Sequence, residues 1–164
     1  MEFAGQIMPL YEEHRAVINE LIVKNWAGPY IVTLGVLHDT RTSEGFVAVI
    51  DDEVVGYVLY NVDCGDCEII VLESMREGKG IGRALVQAVK DAVKNQDCGL
   101  VRIVTTNDNT RAMRFYQRIG FTLKAVHMCT IQEYRENIKP EIPILGFDNI
   151  LIAHEFEFVA FIFM

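Results

Sequence analysis

Residues 76 to 85 read Arg-Glu-Gly-Lys-Gly-Ile-Gly-Arg-Ala-Leu, with Gly78, Gly80 and Gly82 at alternate positions leading into an apolar periodic stretch. Glycine there bares the backbone, and bare backbone N–H groups donate hydrogen bonds to anions. A strand-like run, Glu68 to Leu72, comes before. Ile81, Ala84, Leu85, Ala88, Val89, Ala92 and Val93 come after, at the spacing of one face of a helix. Strand, glycine turn and helix N-terminus together favour a phosphate: the first-turn N–H groups have no intrahelical acceptor, and the helix dipole adds about half a positive charge. Two nucleotide-binding loops fail on spacing. A Gly-x-x-x-x-Gly-Lys-Ser/Thr loop would need glycine where Arg83 stands, and Gly-x-Gly-x-x-Gly meets Arg83 or Leu85 at its third glycine.

The elements that must position this turn follow from periodicity. Tyr11 to Trp26 reads as an amphipathic helix on Val17, Ile18, Leu21 and Ile22, broken by Gly28-Pro29. Strand character follows over Tyr30 to Leu37, Phe46 to Ile50, Val54 to Val62 and Glu68 to Leu72, as an antiparallel meander with turns at Asp51-Asp52 and Cys64-Gly65-Asp66. After the glycine turn and its helix, Leu100 to Thr105 is a strand. Asn109 caps a second helix with Ala112, Phe115, Tyr116 and Ile119 on its apolar face, and Gly120 stops it. Phe121 to Thr130 reads as a strand, Gln132 to Lys139 as a short helix, and Ile150 to Phe161 as a terminal strand. The predicted class is α/β, a mixed and mostly antiparallel sheet flanked by helices.

The 164 residues suit a single domain, 1–164, with 51% apolar residues. A net charge of −8 argues against general affinity for nucleic acid and mildly favours cationic small molecules or peptides. No apolar run approaches the ~20 residues of a membrane span, and the first residues lack a signal-peptide pattern, so a cytoplasmic protein is expected. Cys64 and Cys67 have C-x-x-C spacing without a second pair, and they precede a strand rather than open a helix. They read as a turn, and no metal is expected.

The glycine segment resembles the signature of the GNAT superfamily of acyl-CoA-dependent N-acyltransferases, Arg/Gln-x-x-Gly-x-Gly/Ala, whose backbone amides hold the CoA pyrophosphate. Glu77 occupies the Arg/Gln slot, with Arg76 one residue too early, and is expected to face solvent. A second segment, Asn109-Thr110-Arg111-Ala112-Met113-Arg114-Phe115-Tyr116 followed by Gly120-Phe121, is similar to the same family's Asn-x-x-Ala-x-x-Leu/Phe-Tyr-x-x-x-Gly-Phe pattern. The resemblance runs from about Tyr11 through Phe121. It implies a GNAT fold in which two parallel strands, by order Glu68 to Leu72 and Leu100 to Thr105, splay apart around the acyl-CoA arm.

The resemblance also implies roles. Acetyl-CoA is the expected co-substrate, bound by Gly78, Lys79, Gly80, Ile81, Gly82, Arg83, Asn109 and Phe115, with the backbone of Val71 and Leu72 along the pantetheine and thioester. Tyr116 stands where the family places its general acid, a position equally suited to a core tyrosine. Glu68 stands where several members carry a basic glutamate, with Glu73 as its rival. His14 and His38 are expected in solvated positions, and His127 and His154 in the core or at the surface. The expected activity is acetyl transfer to a primary amine of a small molecule or peptide in a ternary complex. The alternatives are a silent acyl-CoA-binding module and a transferase of longer acyl groups. The apolar final strand suggests pairing of two copies as a homodimer, or simply a strand filling its own sheet.

Overall fold

The structure, a computed structural model, describes residues 1–163. In chain order the elements are β1 (Gln6–Pro9), α1 (Glu12–Trp26), β2 (Tyr30–Thr33), β3 (Val36–Asp39), β4 (Glu44–Ile50), β5 (Glu53–Asp63) and β6 (Asp66–Ser74). Then come α2 (Ile81–Val93), β7 (Leu100–Thr106), α3 (Thr110–Arg118), β8 (Thr122–His127), α4 (Thr130–Asn137) and β9 (Glu155–Phe161). Seven strands form one sheet in the order β1-β4-β5-β6-β7-β9-β8, while β2 and β3 form a separate hairpin. Every pairing in the large sheet is antiparallel except β6 with β7.

Two apolar layers hold helices to opposite faces of the sheet. Ile81, Leu85, Val86, Val89 and Val93 of α2 bury against Val58, Ile69, Val101 and Phe158, with Tyr116 of α3 in the same cluster. On the other face Ile18 and Ile22 of α1 bury against Val47, Tyr57, Leu59, Ile70 and Val71. The side chains of β6 therefore divide between the two layers, and an irregularity in the strand moves the division. Tyr60 pairs with Ile69 and Leu59 with Val71, which leaves Ile70 as an extra residue, a β-bulge. At the same point the parallel register with β7 ends, its last pair being Ile69 and Ile103. Beyond it the two strands run on without pairing to each other, which is the splay that the resemblance implies.

Several expectations need correction. Tyr30 to Leu37 is two strands, because Leu34 and Gly35 take positive φ (49° and 78°) and turn the chain between Thr33 and Val36. A first strand, β1, precedes α1; at four residues including Pro9 it is too short to register as a periodic run. The strand after Gly120 stops at His127, and Thr130 already opens α4. The final strand begins at Glu155 and pairs on both sides, with β7 and β8, so its apolarity fills its own sheet and leaves no edge for a second copy. Among the described residues no helix is long and apolar enough to cross a membrane.

Candidate active site

A groove of about 620 Å³ lies between the β6–α2 turn and α3. Its wall includes Leu72, Gly78, Lys79, Gly80, Ile81, Gly82, Arg83, Asn109, Phe115 and Tyr116, so ten of the twelve residues singled out from sequence share one cavity. Val71 turns its side chain into the opposite layer, and Glu68 lies on that opposite face as well.

The groove is electropositive by construction. Gly80 is the N-cap of α2 in the left-handed region (φ 74°), with no side-chain cap. The first intrahelical bond runs from Ala84 N–H to the Gly80 carbonyl, so the N–H groups of Ile81, Gly82 and Arg83 have no partner within the helix. No acidic residue stands in that first turn. Lys79, Arg83, Arg111, Arg114 and Arg118 all line the cavity, so the arginine face of α3 borders it. A Cβ at Gly82 would come within 2.9 Å of the Phe115 ring, so this glycine lets α3 approach the turn.

Tyr116 closes the inner wall. It is 8% exposed, and its ring lies 5.7, 6.1 and 5.8 Å from those of Phe115, Phe121 and Phe158. Burial pushes its phenol above the usual tyrosine range, so it stays protonated at neutral pH. Asn109 caps α3 by accepting the Ala112 N–H on Oδ1 at 3.2 Å, which leaves its amide nitrogen available.

On the far face, Glu68 sits two residues before the bulge. Its Oε1 accepts the Thr33 hydroxyl at 2.5 Å, and His38 Nε2 lies 2.8 Å from that same hydroxyl and 3.9 Å from Glu68 Oε2. His38 is thus largely enclosed, not solvated. Glu73 has both oxygens taken, Oε2 by the Tyr57 hydroxyl at 2.5 Å and Oε1 by the Asn25 amide at 2.6 Å. Glu68 keeps one oxygen without a hydrogen-bonding partner among the described residues, and Glu73 keeps none.

The model of the acetyltransferase (GNAT) family matches residues 9–121. The chain belongs to the GNAT acetyltransferase family. It is 37% identical to the protein YdhI of Bacillus subtilis over 153 residues, 93% of this chain and 95% of that one. It is also 29% identical to N-alpha-acetyltransferase 30 of Schizosaccharomyces pombe, covering 70% and 82% of the two chains. Among solved structures, a GNAT acetyltransferase from Elizabethkingia anophelis with acetyl-CoA bound superposes with a TM-score of 0.67. That match has 17% identity and covers 95% of this chain and 97% of that one.

Set against the GNAT signature, Glu77 is the departure, and the structure gives it a partner. Its carboxylate accepts from the Arg111 guanidinium at the rim of the groove, with both side chains about three-quarters exposed (71% and 74%). Being so exposed, the pair contributes little to stability. Its effect is local, since the acid meets Arg111 and leaves the backbone N–H groups of α2 to an incoming anion. Gly80 is the most constrained point of the turn: a Cβ there would lie 2.6 Å from the Met1 carbonyl oxygen, in a conformation that L side chains avoid. Gly80→Ala is therefore expected to weaken acetyl-CoA binding about tenfold, from about 1–2 kcal/mol of strain. Titration followed by the rise in Tm checks it, and parent-like affinity would refute the cradle's dependence on this residue.

Sequence reading missed the residues that tie the C-terminal tail to the hairpin, the end of α1 and the β7–α3 loop. Glu155, 1% exposed on β9, accepts the Leu34 N–H at 3.0 Å, the Thr130 hydroxyl at 3.1 Å and the Tyr134 hydroxyl at 2.7 Å. Lys139 donates to the carbonyls of Trp26 (2.5 Å) and Tyr30 (2.6 Å), tying the residues after α4 to the end of α1, and burial lowers its pKa. Asn107 accepts the N–H groups of Ala153 (2.9 Å) and His154 (3.0 Å), and Asp108 accepts that of Phe147 (3.0 Å). Phe147 lines the groove. The legible signal was Leu34-Gly35, a two-residue turn between β-branched runs. The partners in the tail are far off in sequence and carry no spacing to read.

Proposed function

We propose that this protein transfers the acetyl group of acetyl-CoA directly to a primary amine in a ternary complex. The observation that carries this reading is the gap between β6 and β7. It opens where the register ends at Ile69 and Ile103, with Tyr116 and the cradle on one side of the sheet and Glu68 on the other. A thioester lying in that gap meets the acid from one face and an amine, with its base, from the other. The acetyl-CoA-bound relative of the same fold supports placing the cofactor in the groove.

In the proposed reaction the pyrophosphate lies on the N–H groups of Gly80 to Arg83, flanked by Lys79 and Arg83, with Gly78 giving the turn its reach. Asn109 and Phe115 border the pantetheine, and the backbone of Val71 and Leu72 past the bulge, paired with β5 but no longer with β7, polarises the thioester carbonyl from the open side. The amine enters neutral. Its nitrogen forms the C–N bond as its proton passes to Glu68 Oε2. The C–S bond then breaks, and the thiolate takes the Tyr116 proton. The products are the acetamide and free CoA, and solvent returns the proton from Glu68 to Tyr116.

Glu68→Gln keeps the size and removes the base, so kcat is expected to fall about 100-fold with the affinity for acetyl-CoA retained. The assay follows acetyl-CoA consumption against polyamines, amino acids, aminoglycosides and peptides with a free N-terminus, read by mass. Protein that is neither stabilised by acetyl-CoA nor able to acetylate any of them would end the proposal. Stabilisation without turnover would favour a silent acyl-CoA-binding module.

A further inference from the structure

The β2–β3 hairpin presents Thr33 and His38 to Glu68 in an arrangement whose hydrogens can be assigned. The ionised Glu68 only accepts, so the single hydroxyl proton of Thr33 is donated to Oε1 at 2.5 Å. Thr33 Oγ1 must then accept from His38, which makes Nε2, at 2.8 Å, the protonated ring nitrogen. His38 Nδ1 is left as an acceptor and faces the Asn61 amide nitrogen at 3.3 Å. All three hydrogen bonds run one way, from Asn61 through His38 and Thr33 to the carboxylate. Because Nε2 already carries a hydrogen, the chain orients and does not conduct: His38 has no site on that side for a proton arriving from Thr33.

The hairpin is fixed at both ends of β2. The Tyr30 carbonyl accepts from Lys139 at 2.6 Å, and the Leu34 N–H donates to Glu155 at 3.0 Å. The other charged groups near Glu68 are already committed. Arg102, its register partner on β7, binds Glu157 at 2.8 Å and Asp66 at 3.2 Å, and Asp66 lies on the same strand. Cys67 next along is buried on the opposite face.

We propose that Thr33 and His38 are positioning residues for acetyl transfer, holding Glu68 Oε1 so that Oε2 alone is presented to the incoming amine. This rests on the reading of Glu68 as the base. The ordinary variability of a hairpin tip makes no demand on residue type at these two positions, whereas the hydrogen-bond chain does: a hydroxyl at 33 and an N–H donor at 38.

The test uses the full chain, acetyl-CoA and the fastest amine of the panel above. Thr33→Val removes a hydrogen bond to the charged carboxylate, so kcat is expected to fall about tenfold and the acid limb of the pH–rate profile to move to higher pH. The KM for acetyl-CoA, whose groove lies across the sheet, is unchanged. Thr33→Ser restores both quantities. His38→Gln, which keeps an N–H donor, retains most activity, whereas His38→Phe loses about as much as Thr33→Val. The inference is overturned if Thr33→Val and His38→Phe, each still stabilised by acetyl-CoA, keep the parent's kcat and acid limb. It is equally overturned if His38→Gln falls as far as His38→Phe. If Thr33→Val unfolds the hairpin, the two His38 variants decide between these outcomes. Full activity in Glu68→Gln would instead refute the base assignment, so the two failures are distinguishable.

Discussion

Tyr116→Phe is expected to lower kcat about 100- to 1,000-fold while leaving both folding stability and acetyl-CoA affinity close to the parent's. The separation is sharp because the ring and the hydroxyl do different work. The ring is part of the core, packed edge-on or tilted against Phe115, Phe121 and Phe158, and phenylalanine keeps every one of those contacts. The residue lines the groove. Its raised pKa comes from burial alone, so no neighbouring base is lost with it. A phenol held neutral in a dry wall retains its proton until a stronger base forms beside it, and a departing thiolate is such a base. In the proposed reaction, removing the oxygen leaves the thiolate without its proton donor, and it leaves nothing buried unsatisfied. Kinetics against one amine and an acetyl-CoA thermal-shift titration, run on the same preparations, check both halves. Parent-like kcat in Tyr116→Phe would reduce this tyrosine to a core residue, and a matching loss of acetyl-CoA affinity would make its role binding instead of proton transfer.

What could be read from the sequence divides along the same lines. The cofactor side was legible because it is local. A strand, alternating glycines and a periodic helix within 26 residues, Glu68 to Val93, fix a turn, an uncapped helix N-terminus and the direction of a dipole. The second motif is equally contiguous, and its Asn109 cap and Gly120 stop stand where the structure has them. Glu68 was named correctly as a strand residue, but its surroundings were not legible. Thr33, His38 and Asn61 reach it from 35, 30 and 7 positions away, and only the hairpin turn at Leu34-Gly35 brings the first two over the sheet. Glu155 was the most misleading residue. In the sequence it alternates with aromatics and, like Glu141 and Asp148 in the same tail, reads as an acid able to receive a cationic amine, as any acidic surface is. In the fold it is buried and fully engaged by three donors. A carboxylate whose partners are a backbone N–H and two hydroxyls leaves no charge pattern to detect.

That buried acid carries the largest expected effect on stability. Glu155→Ala leaves the Leu34 N–H and the hydroxyls of Thr130 and Tyr134 without their acceptor, in a place water reaches poorly. The cost is expected to be about 3–5 kcal/mol, or a fall in Tm of about 10 °C for a chain of this size. Glu155→Gln should cost less, because its carbonyl oxygen still accepts and the two hydroxyls can turn to accept from the new amide. The damage should also be lopsided. Glu155 joins the hairpin tip to α4 and β9, whereas the cradle is built by β6, α2 and α3 on the other face of the sheet. Folded Glu155→Ala protein should therefore bind acetyl-CoA with near-parent affinity yet show a raised KM for the amine and a lowered kcat, since the hairpin that holds Thr33 and His38 over Glu68 has lost one of its two anchors. Thermal unfolding with and without acetyl-CoA, combined with steady-state kinetics below the new Tm, measures each quantity. A Tm within about 2 °C of the parent's would mean that water replaces the carboxylate at that site, and equal losses on both substrates would mean that the two faces of the sheet are not independent.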